Sequence, residues 1–297
     1  MSPVTGLLVP AVTPFSPDGD IDAASFQANL RSWLEQGVDG VLLAGSSGEA
    51  ALLDGDERRR LVALAREVLP KDKHLLVGVG SESTRQTIAR ARDAKAEGAD
   101  AVLVVSPHYY LKRMTDEALL RHFKAVADAS PLPVLMYNIP VYAHVVLSPA
   151  VVHELSRHEN IVGMKDSAGN LPVLQQYLEA QNDGFHVLTG SGGTFVTALE
   201  MGAAGAILAI ALYAGLAVRA AFDAARAGQA KEAAILQTTL VPLAMDIAAA
   251  FGPAGIKAAM DIVGLKGGPT RSPLLPVTET ERATIRARLE SAGLLPT

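Results

Sequence analysis

The chain has 297 residues, 49% of them hydrophobic, which is enough for one large domain or two ordinary ones with a sizeable core. Its formal net charge is −5 with both signs interspersed, and the missing basic stripe argues against a nucleic-acid partner. There are no cysteines, which excludes disulfides and thiolate chemistry and fits a reducing compartment.

The sequence shows neither a signal-peptide pattern nor a membrane-spanning pattern. The opening residues, MSPVTGLLVPAVTPF, lack the basic and long apolar regions of a signal peptide. The longest apolar stretch, AAGAILAIALYAGLAV, is rich in Ala and Gly and is typical of a buried strand followed by a helix. We therefore expect a cytoplasmic protein with no membrane partner.

Eight short apolar runs recur along the chain and predict strands. They are continuous rather than alternating and rich in Val, Ile and Leu, as in parallel strands buried on both faces. In chain order they cover residues 6–12, 40–45, 75–80, 101–107, 133–138, 161–167, 186–191 and 205–211.

Helical segments fill the gaps between these runs, and several begin at residues suited to capping a helix. These caps are Asp54 with Glu57, Ser83 with Gln86, Thr115, and Ser148 before Pro149. Eight even β/α units predict a (β/α)8 TIM barrel, with a doubly wound open sheet as the alternative. We assign residues 1–224 to the barrel and residues 225–297, which contain no strand pattern, to a C-terminal helical extension.

In such barrels the reactive groups lie at the C-terminal ends of the strands. After the second run, Ser46 and Ser47 in Gly-Ser-Ser-Gly-Glu could hold a small anion, although many strand-to-helix turns are rich in Gly and Ser. After the fourth run, Tyr109 precedes a second tyrosine and could relay a proton, or it could pack at the rim or against another subunit.

The fifth and sixth runs end in Tyr137-Asn138 and in Lys165-Asp166-Ser167. Tyr137 could be a core tyrosine, and Lys165 could simply reach water. On adjacent strands, however, the two side chains would meet. Burial disfavours the charged form of an amine, and a neutral amine attacks a carbonyl carbon to form a Schiff base. The pattern therefore favours a class I aldolase site.

Other motifs are absent or incomplete. The two histidines of His-Glu-Leu-Ser-Arg-His, residues 153–158, are one residue too far apart to share a zinc ion on a helix face. Gly78-Val79-Gly80 lacks the third glycine of a dinucleotide fingerprint, and no phosphate-binding P-loop motif occurs. We expect neither a metal nor a cofactor, as suits an imine mechanism.

Several motifs in order resemble the dihydrodipicolinate synthase / N-acetylneuraminate lyase family of pyruvate-dependent aldolases over nearly the whole chain. They are VTPF, GSSGE, SPHYY, YNIP, GMKDSAGN, TGSGG and PLLPVTETE. GVGSEST, SPHYYLKRM, FGPAGIKAAMD and GGPTRSPL are most similar to the 4-hydroxy-2-oxoglutarate aldolases of that family.

The resemblance implies roles for individual residues. The catalytic residues would be Lys165 as the Schiff-base lysine, Tyr137 and Ser47 as proton carriers, and Tyr109 as a residue that enters the neighbouring subunit's site. The substrate-binding residues would be Ser46 and Ser47, which hold the pyruvyl carboxylate, with Gly190, Ile207, Ser167 and Asn138. The family is usually a homotetramer built as a dimer of dimers.

The sequence departs from the family pattern near the predicted site, and the departure at residue 142 bears on the substrate. Synthases that make the lysine precursor carry an Arg two residues after the proline of YN-x-P, and here Tyr142 stands there. His144 stands where a small Gly is usual. We expect a Schiff-base lyase for pyruvate and an aldehyde, with 4-hydroxy-2-oxoglutarate, giving pyruvate and glyoxylate, as the favoured substrate. The alternatives are dihydrodipicolinate synthase, a 2-keto-3-deoxy sugar acid aldolase or dehydratase, and a catalytically silent 2-oxo acid binding protein.

Overall fold

The fold is a closed barrel of eight parallel strands in the order β1 to β8, which confirms the TIM barrel and excludes the open sheet. The computed structural model describes residues 4–295, so the outermost residues of both predicted segments, 1–3 and 296–297, lie outside the described residues. The strands are β1 Gly6–Pro10, β2 Gly40–Leu43, β3 His74–Gly78, β4 Ala101–Val105, β5 Val134–Asn138, β6 Ile161–Asp166, β7 His186–Thr189 and β8 Gly205–Ile207.

Helices follow each strand, as the alternating pattern predicts. They are α1 Ala23–Glu35, α2 Gly55–Val68, α3 Thr84–Ala96, α4 Asp116–Ala129, α5 Pro140–Ala143, α6 Pro149–Leu155, α7 Leu171–Leu178, α8 Phe195–Glu200 and α9 Ala211–Arg226. The predicted caps are confirmed, since Asp54, Ser83, Thr115 and Ser148 each accept a backbone N–H from the first turn of their helix. Of these four, Asp54 forms the reciprocal capping box, with Glu57.

Alternation along each strand separates two hydrophobic layers. One set of side chains fills the barrel interior, and the other packs outward against the helices. The interior set includes Leu8, Leu42, Leu76, Leu103, Leu135, Tyr137, Leu188 and Ile207. Tyr137 closes β5 and Ile207 closes β8, so both lie toward the C-terminal mouth, where the strands end.

The C-terminal extension consists of α10 Ala230–Leu243, a π-helical segment Ala244–Ala249, α11 Ala250–Ile262 and α12 Glu279–Ser291. The predicted boundary at residue 224 falls within the last turn of α9. The path from Ala230 to Ile262 is long and apolar enough by composition to cross a bilayer, with a mean hydropathy of 1.6. It contains Pro242 and a kink at Gly252, and it packs against α8 and α9 of the barrel.

His122 on α4 provides a prediction about the pH dependence of stability. It is 6% exposed, its Nδ1 lies 2.8 Å from Thr84 Oγ1, and burial lowers its pKa to about 4. An unfolded histidine titrates near ~6.5, so between those values the unfolded chain binds a proton that the folded chain does not. Stability should therefore fall as the pH drops below ~6.5, by about 2 kcal/mol at pH ~5 from this group.

Urea unfolding at pH ~7.5 and ~5, in the parent and in His122→Gln, measures this contribution. The variant keeps a polar side chain but cannot titrate, so its loss of stability on acidification should be smaller by that amount. An equal loss in both proteins would show that His122 does not titrate differently in the folded state.

Candidate active site

A cavity of about 550 Å³ opens at the C-terminal mouth of the barrel. Its wall is formed by the ends of β2 to β5, by α5, and by two residues of the C-terminal extension, Pro253 and Leu274. Tyr137 and Ser46 both contribute to this wall, which places the end of β5 and the turn after β2 around one space.

Lys165 and Tyr137 are brought together by the backbone pairing of β5 with β6, which sets them opposite each other. Lys165 Nζ donates to the Tyr137 hydroxyl at 3.2 Å and lies 4.4 Å from the centre of its ring. Lys165 is 4% exposed and Tyr137 is 5% exposed. The amine therefore does not reach bulk water, so the surface-lysine interpretation is wrong, and a phenol is in place to exchange protons with it.

Asn138 and Asp166 pair on the opposite face of the same two strands. Asn138 Nδ2 donates to Asp166 Oδ1 at 2.7 Å, and Asn138 Oδ1 accepts the N–H of Leu147 at 3.1 Å. Burial raises the pKa of the Asp166 carboxyl. Asn138, which the resemblance assigns to substrate binding, does not share the face of Tyr137, because consecutive strand residues point to opposite sides. Its hydrogen bonds instead join β5, β6 and the loop before α6.

Gly190 after β7 lies directly against the Lys165 side chain. A Cβ atom added there would lie 2.5 Å from Lys165 Cε and closer still to Ser167 Oγ, so only glycine fits without displacing them. The structure thus brings together three predicted site residues, Lys165, Ser167 and Gly190. Ile207, at the end of β8, is fully buried in the interior cluster with Tyr137.

The turn after β2 is a short 3₁₀ turn, Ser46–Gly48, in which Ser46 and Ser47 are half-buried. The first hydrogen bond inside the turn runs from the Gly48 N–H to the Gly45 carbonyl. The N–H groups of Ser46 and Ser47 come before it in the chain, so the turn itself does not use them as donors. Thr13 Oγ1 donates to the Gly48 carbonyl at 2.8 Å and fixes the turn to the loop after β1. Hydroxyl and amide donors are therefore presented at the mouth.

Tyr109 is 76% exposed and lies outside the cavity lining of its own chain. Its ring packs edge-on against Tyr110 at 5.1 Å, and its N–H donates to Glu82 at 2.8 Å. Within one chain it therefore does not line the cavity to which Tyr137 contributes. A role in catalysis would require a second subunit.

Tyr142 on α5 forms part of the cavity wall opposite the helical extension. Its hydroxyl lies beside Gly252, where α11 kinks through a positive φ of 54°. Burial, with a smaller contribution from Tyr137, raises the pKa of the Tyr142 phenol, so it stays neutral. His144 ends α5 with a φ of 53°, the left-handed conformation that glycine adopts without strain.

Two arginines in the cavity wall, Arg58 on α2 and Arg90 on α3, were not predicted from the sequence. Arg58 donates to the Gly78 carbonyl at 3.0 Å, and Arg90 to the Gly80 carbonyl at 2.6 Å. Burial lowers the pKa of Arg58 to about 10. Both residues sit in helical stretches rich in charge, so their pattern does not distinguish them from solvated arginines.

Within residues 4–295, no group of three or more His, Asp or Glu side chains is arranged to hold a metal ion. His158, from the pattern that resembles a zinc motif, has its Nε2 3.0 Å from Asp128 Oδ1 instead.

Comparison with known proteins shows the family to which the chain belongs. The sequence model of the Dihydrodipicolinate synthetase family matches residues 3–292. The 4-hydroxy-tetrahydrodipicolinate synthase of Acidiphilium cryptum is 38% identical over 98% of this chain and 99% of its own length. That of Syntrophus aciditrophicus is 33% identical over the same shares.

Solved structures agree as well. The chloride-inhibited dihydrodipicolinate synthase of Acinetobacter baumannii, complexed with pyruvate, superposes with a TM-score of 0.94 at 32% identity, covering 98% of this chain and 100% of that one. Dihydrodipicolinate synthase DapA-2 of Bacillus anthracis gives 0.94 at 32% identity over both whole chains. The chain therefore belongs to the dihydrodipicolinate synthetase family and is a lyase that makes or breaks a carbon–carbon bond through a Schiff base.

Proposed function

We propose that this lyase forms an imine between Lys165 and pyruvate and joins the resulting enamine to an aldehyde, or runs the reverse cleavage. The observation that carries the proposal is the buried contact of 3.2 Å between Lys165 Nζ and the Tyr137 hydroxyl. A pyruvate-complexed relative with the same fold supports pyruvate as the keto acid.

The chemistry follows from these two groups. The Lys165 amine attacks the carbonyl carbon of pyruvate, and the carbinolamine loses water to give a protonated imine. This cation withdraws electrons, so the methyl carbon releases a proton and becomes a nucleophilic enamine. The enamine carbon attacks the aldehyde carbon, the aldehyde oxygen takes up a proton, and water then frees the product from the lysine. Tyr137 is the group in position to carry protons to and from these oxygens.

The Ser46–Gly48 turn is the proposed binding site of the pyruvyl carboxylate. Two hydroxyls and the N–H groups that precede the turn's first hydrogen bond supply donors to an anion. A side chain at residue 190 would displace Lys165 Cε and Ser167 Oγ, so the glycine allows the lysine to keep its position.

For the aldehyde, the first candidate is aspartate semialdehyde, which would make the chain a 4-hydroxy-tetrahydrodipicolinate synthase. Relatives so named match nearly the whole chain at 31–38% identity, and this supports the synthase over the 4-hydroxy-2-oxoglutarate aldolase expected from sequence. A cation for the carboxylate of this aldehyde would have to come from elsewhere in the cavity wall, where Arg58 and Arg90 contribute to the lining.

The second candidate is glyoxylate, the partner in 4-hydroxy-2-oxoglutarate aldolase. The observation that favours it is Tyr142, a neutral phenol in the cavity wall at the position where the resemblance expects an arginine. A phenol cannot form the paired, charge-assisted hydrogen bonds of a guanidinium group with a carboxylate. Glyoxylate is a smaller aldehyde, so its binding depends less on a hydrogen-bond donor in that part of the wall.

Replacing Tyr142 tests which aldehyde the wall recognises. Tyr142→Arg should raise kcat/KM for aspartate semialdehyde by one to two orders of magnitude, since a hydrogen bond to a charged group contributes roughly 1.5–3 kcal/mol. The measurements, in parent and variant, are pyruvate consumption with aspartate semialdehyde and with glyoxylate, and pyruvate release from a series of 2-keto-3-deoxy sugar acids.

Tyr142→Phe is the matched control, because it changes the phenol without adding charge. A parent that prefers aspartate semialdehyde supports the synthase, and one that prefers glyoxylate supports the aldolase. No gain in Tyr142→Arg, or the same gain in Tyr142→Phe, would show that residue 142 does not face the aldehyde.

A homotetramer, in which Tyr109 completes a neighbouring site, remains part of the proposal. The support is the high exposure of Tyr109 and Tyr110, 76% and 69%, because large exposed aromatic side chains are common at subunit contacts. A cytoplasmic location, as expected from the sequence, is likewise proposed.

A further inference from the structure

The loop that presents Ser46 and Ser47 is strained at both ends. Ala44 has a φ of 48° and Glu49 a φ of 57°, the left-handed region that side chains other than glycine rarely adopt. Such residues persist where the surrounding structure holds them in place, and they gather at binding and catalytic sites. Glu49 is also 3% exposed, which is unusual for a carboxylate.

The Glu49 carboxylate is held entirely by the C-terminal extension. Its Oε1 lies 2.5 Å from Lys257 Nζ of α11, and its Oε2 accepts the N–H of Arg271 at 2.9 Å. Lys257 is 1% exposed, donates to the Pro269 carbonyl at 2.8 Å and lies 4.5 Å from the ring of Phe15. The ion pair is therefore closed off from water.

Arg271 holds the far side of the same loop. Its guanidinium group donates to the Leu52 carbonyl at 2.8 Å and to both carboxylate oxygens of Glu57, at 2.7 and 2.5 Å. The group also stacks on Phe15 at 4.2 Å. The segment that follows β2 is thus held at residue 49, and again at residues 52 and 57, by groups of the C-terminal extension.

We propose that Glu49 and Lys257 are positioning residues, which hold the Ser46–Gly48 turn in the geometry that binds the pyruvyl carboxylate. Glu49 contributes to the cavity lining, but its two carboxylate oxygens are engaged by Lys257 Nζ and by the Arg271 N–H. Lys257 lies outside that lining, so it acts through Glu49 and not on the substrate. The inference rests on the proposed function, because it assigns a task to the pyruvate-binding turn.

The test compares Lys257→Met and Glu49→Gln with the parent. Met keeps the length of the lysine stem without its charge, and Gln keeps the shape of the glutamate. For each protein we would measure kcat, the KM for pyruvate and the melting temperature. We would also measure the trapping half-saturation, which is the pyruvate concentration at which labelling with borohydride is half-maximal. We expect the pyruvate KM and the trapping half-saturation to rise together by about tenfold, while saturating pyruvate still labels Lys165.

Arg219→Met is the matched control. Arg219 pairs with Asp39 at 3.0 Å, next to the first residue of β2 and so at the opposite end of the barrel. This variant should lower the melting temperature without changing the pyruvate KM. A merely structural role for Lys257 would give the same result as the control.

Unchanged pyruvate half-saturation in Glu49→Gln and in Lys257→Met would overturn the inference, as would an equal rise in Arg219→Met. If Lys257→Met does not fold, Glu49→Gln decides alone. A parent that pyruvate and borohydride do not label at Lys165 would instead refute the proposed function.

Discussion

Replacing Lys165 should abolish both turnover and the covalent trapping of pyruvate. In the parent, pyruvate with borohydride should add one three-carbon unit per chain, because reduction fixes the imine as a stable amine. Lys165→Ala removes the nucleophile, and Lys165→Arg replaces it with a group that remains protonated. Intact-protein mass spectrometry and peptide mapping measure the adduct and its position.

Lys112 provides a matched control for this experiment. It is an exposed lysine in the loop after β4, near the same end of the barrel. Lys112→Ala should trap pyruvate as the parent does. A label on a lysine other than Lys165, or trapping that persists in Lys165→Ala, would contradict the imine assignment.

Tyr137→Phe should keep the fold and lose rate. The substitution removes one hydroxyl from the contact with Lys165 Nζ and leaves the ring in the interior cluster. General acid–base groups typically contribute about 10²–10⁴-fold, so kcat should fall by that range. The melting temperature should change little, and trapping on Lys165 should persist at a lower rate.

Tyr177→Phe is the comparison variant, because we expect it to lower stability and to leave kcat unchanged, the reverse of Tyr137→Phe. The Tyr177 hydroxyl donates to the buried Leu147 carbonyl at 2.5 Å, in the layer outside the strands. Its removal leaves that carbonyl without a partner, which costs roughly 1–3 kcal/mol of stability. Stability should fall while kcat is retained. Parent-like turnover in Tyr137→Phe would mean that another group carries the proton.

Much of the barrel could be predicted because the physical signal is local. Continuous apolar runs mark strands buried on both faces, and residues that close adjacent parallel strands must meet at one rim, as Lys165 and Tyr137 do. The predicted runs extend one or more residues past strands such as Ala101–Val105, because the apolar pattern continues after the ladder hydrogen bonds end.

Other features could not be predicted, because they depend on which side of a strand a residue faces or on contacts between residues far apart in the sequence. Asn138 and Tyr137 are both polar residues at the end of β5. Which of the two side chains points into the barrel depends on the orientation of the strand, which the sequence does not reveal. Glu49 meets Arg271 across 222 residues, and no periodicity links them. The π-helical segment Ala244–Ala249 likewise has no distinctive composition, since it continues an Ala-rich helix.

The position of Tyr142 has a consequence for redesign. Lys165 and Tyr137, the residues proposed to carry the chemistry, lie on two paired strands. Tyr142 lies on a four-residue helix and Pro253 on a kinked helix, both outside the strand ladder. Libraries at positions 142 and 253 should therefore alter which aldehyde is accepted while leaving the strand register intact. In evolutionary terms, the same barrel can come to accept a different aldehyde through changes in this part of the cavity wall, because its residues take no part in the pairing of the strands.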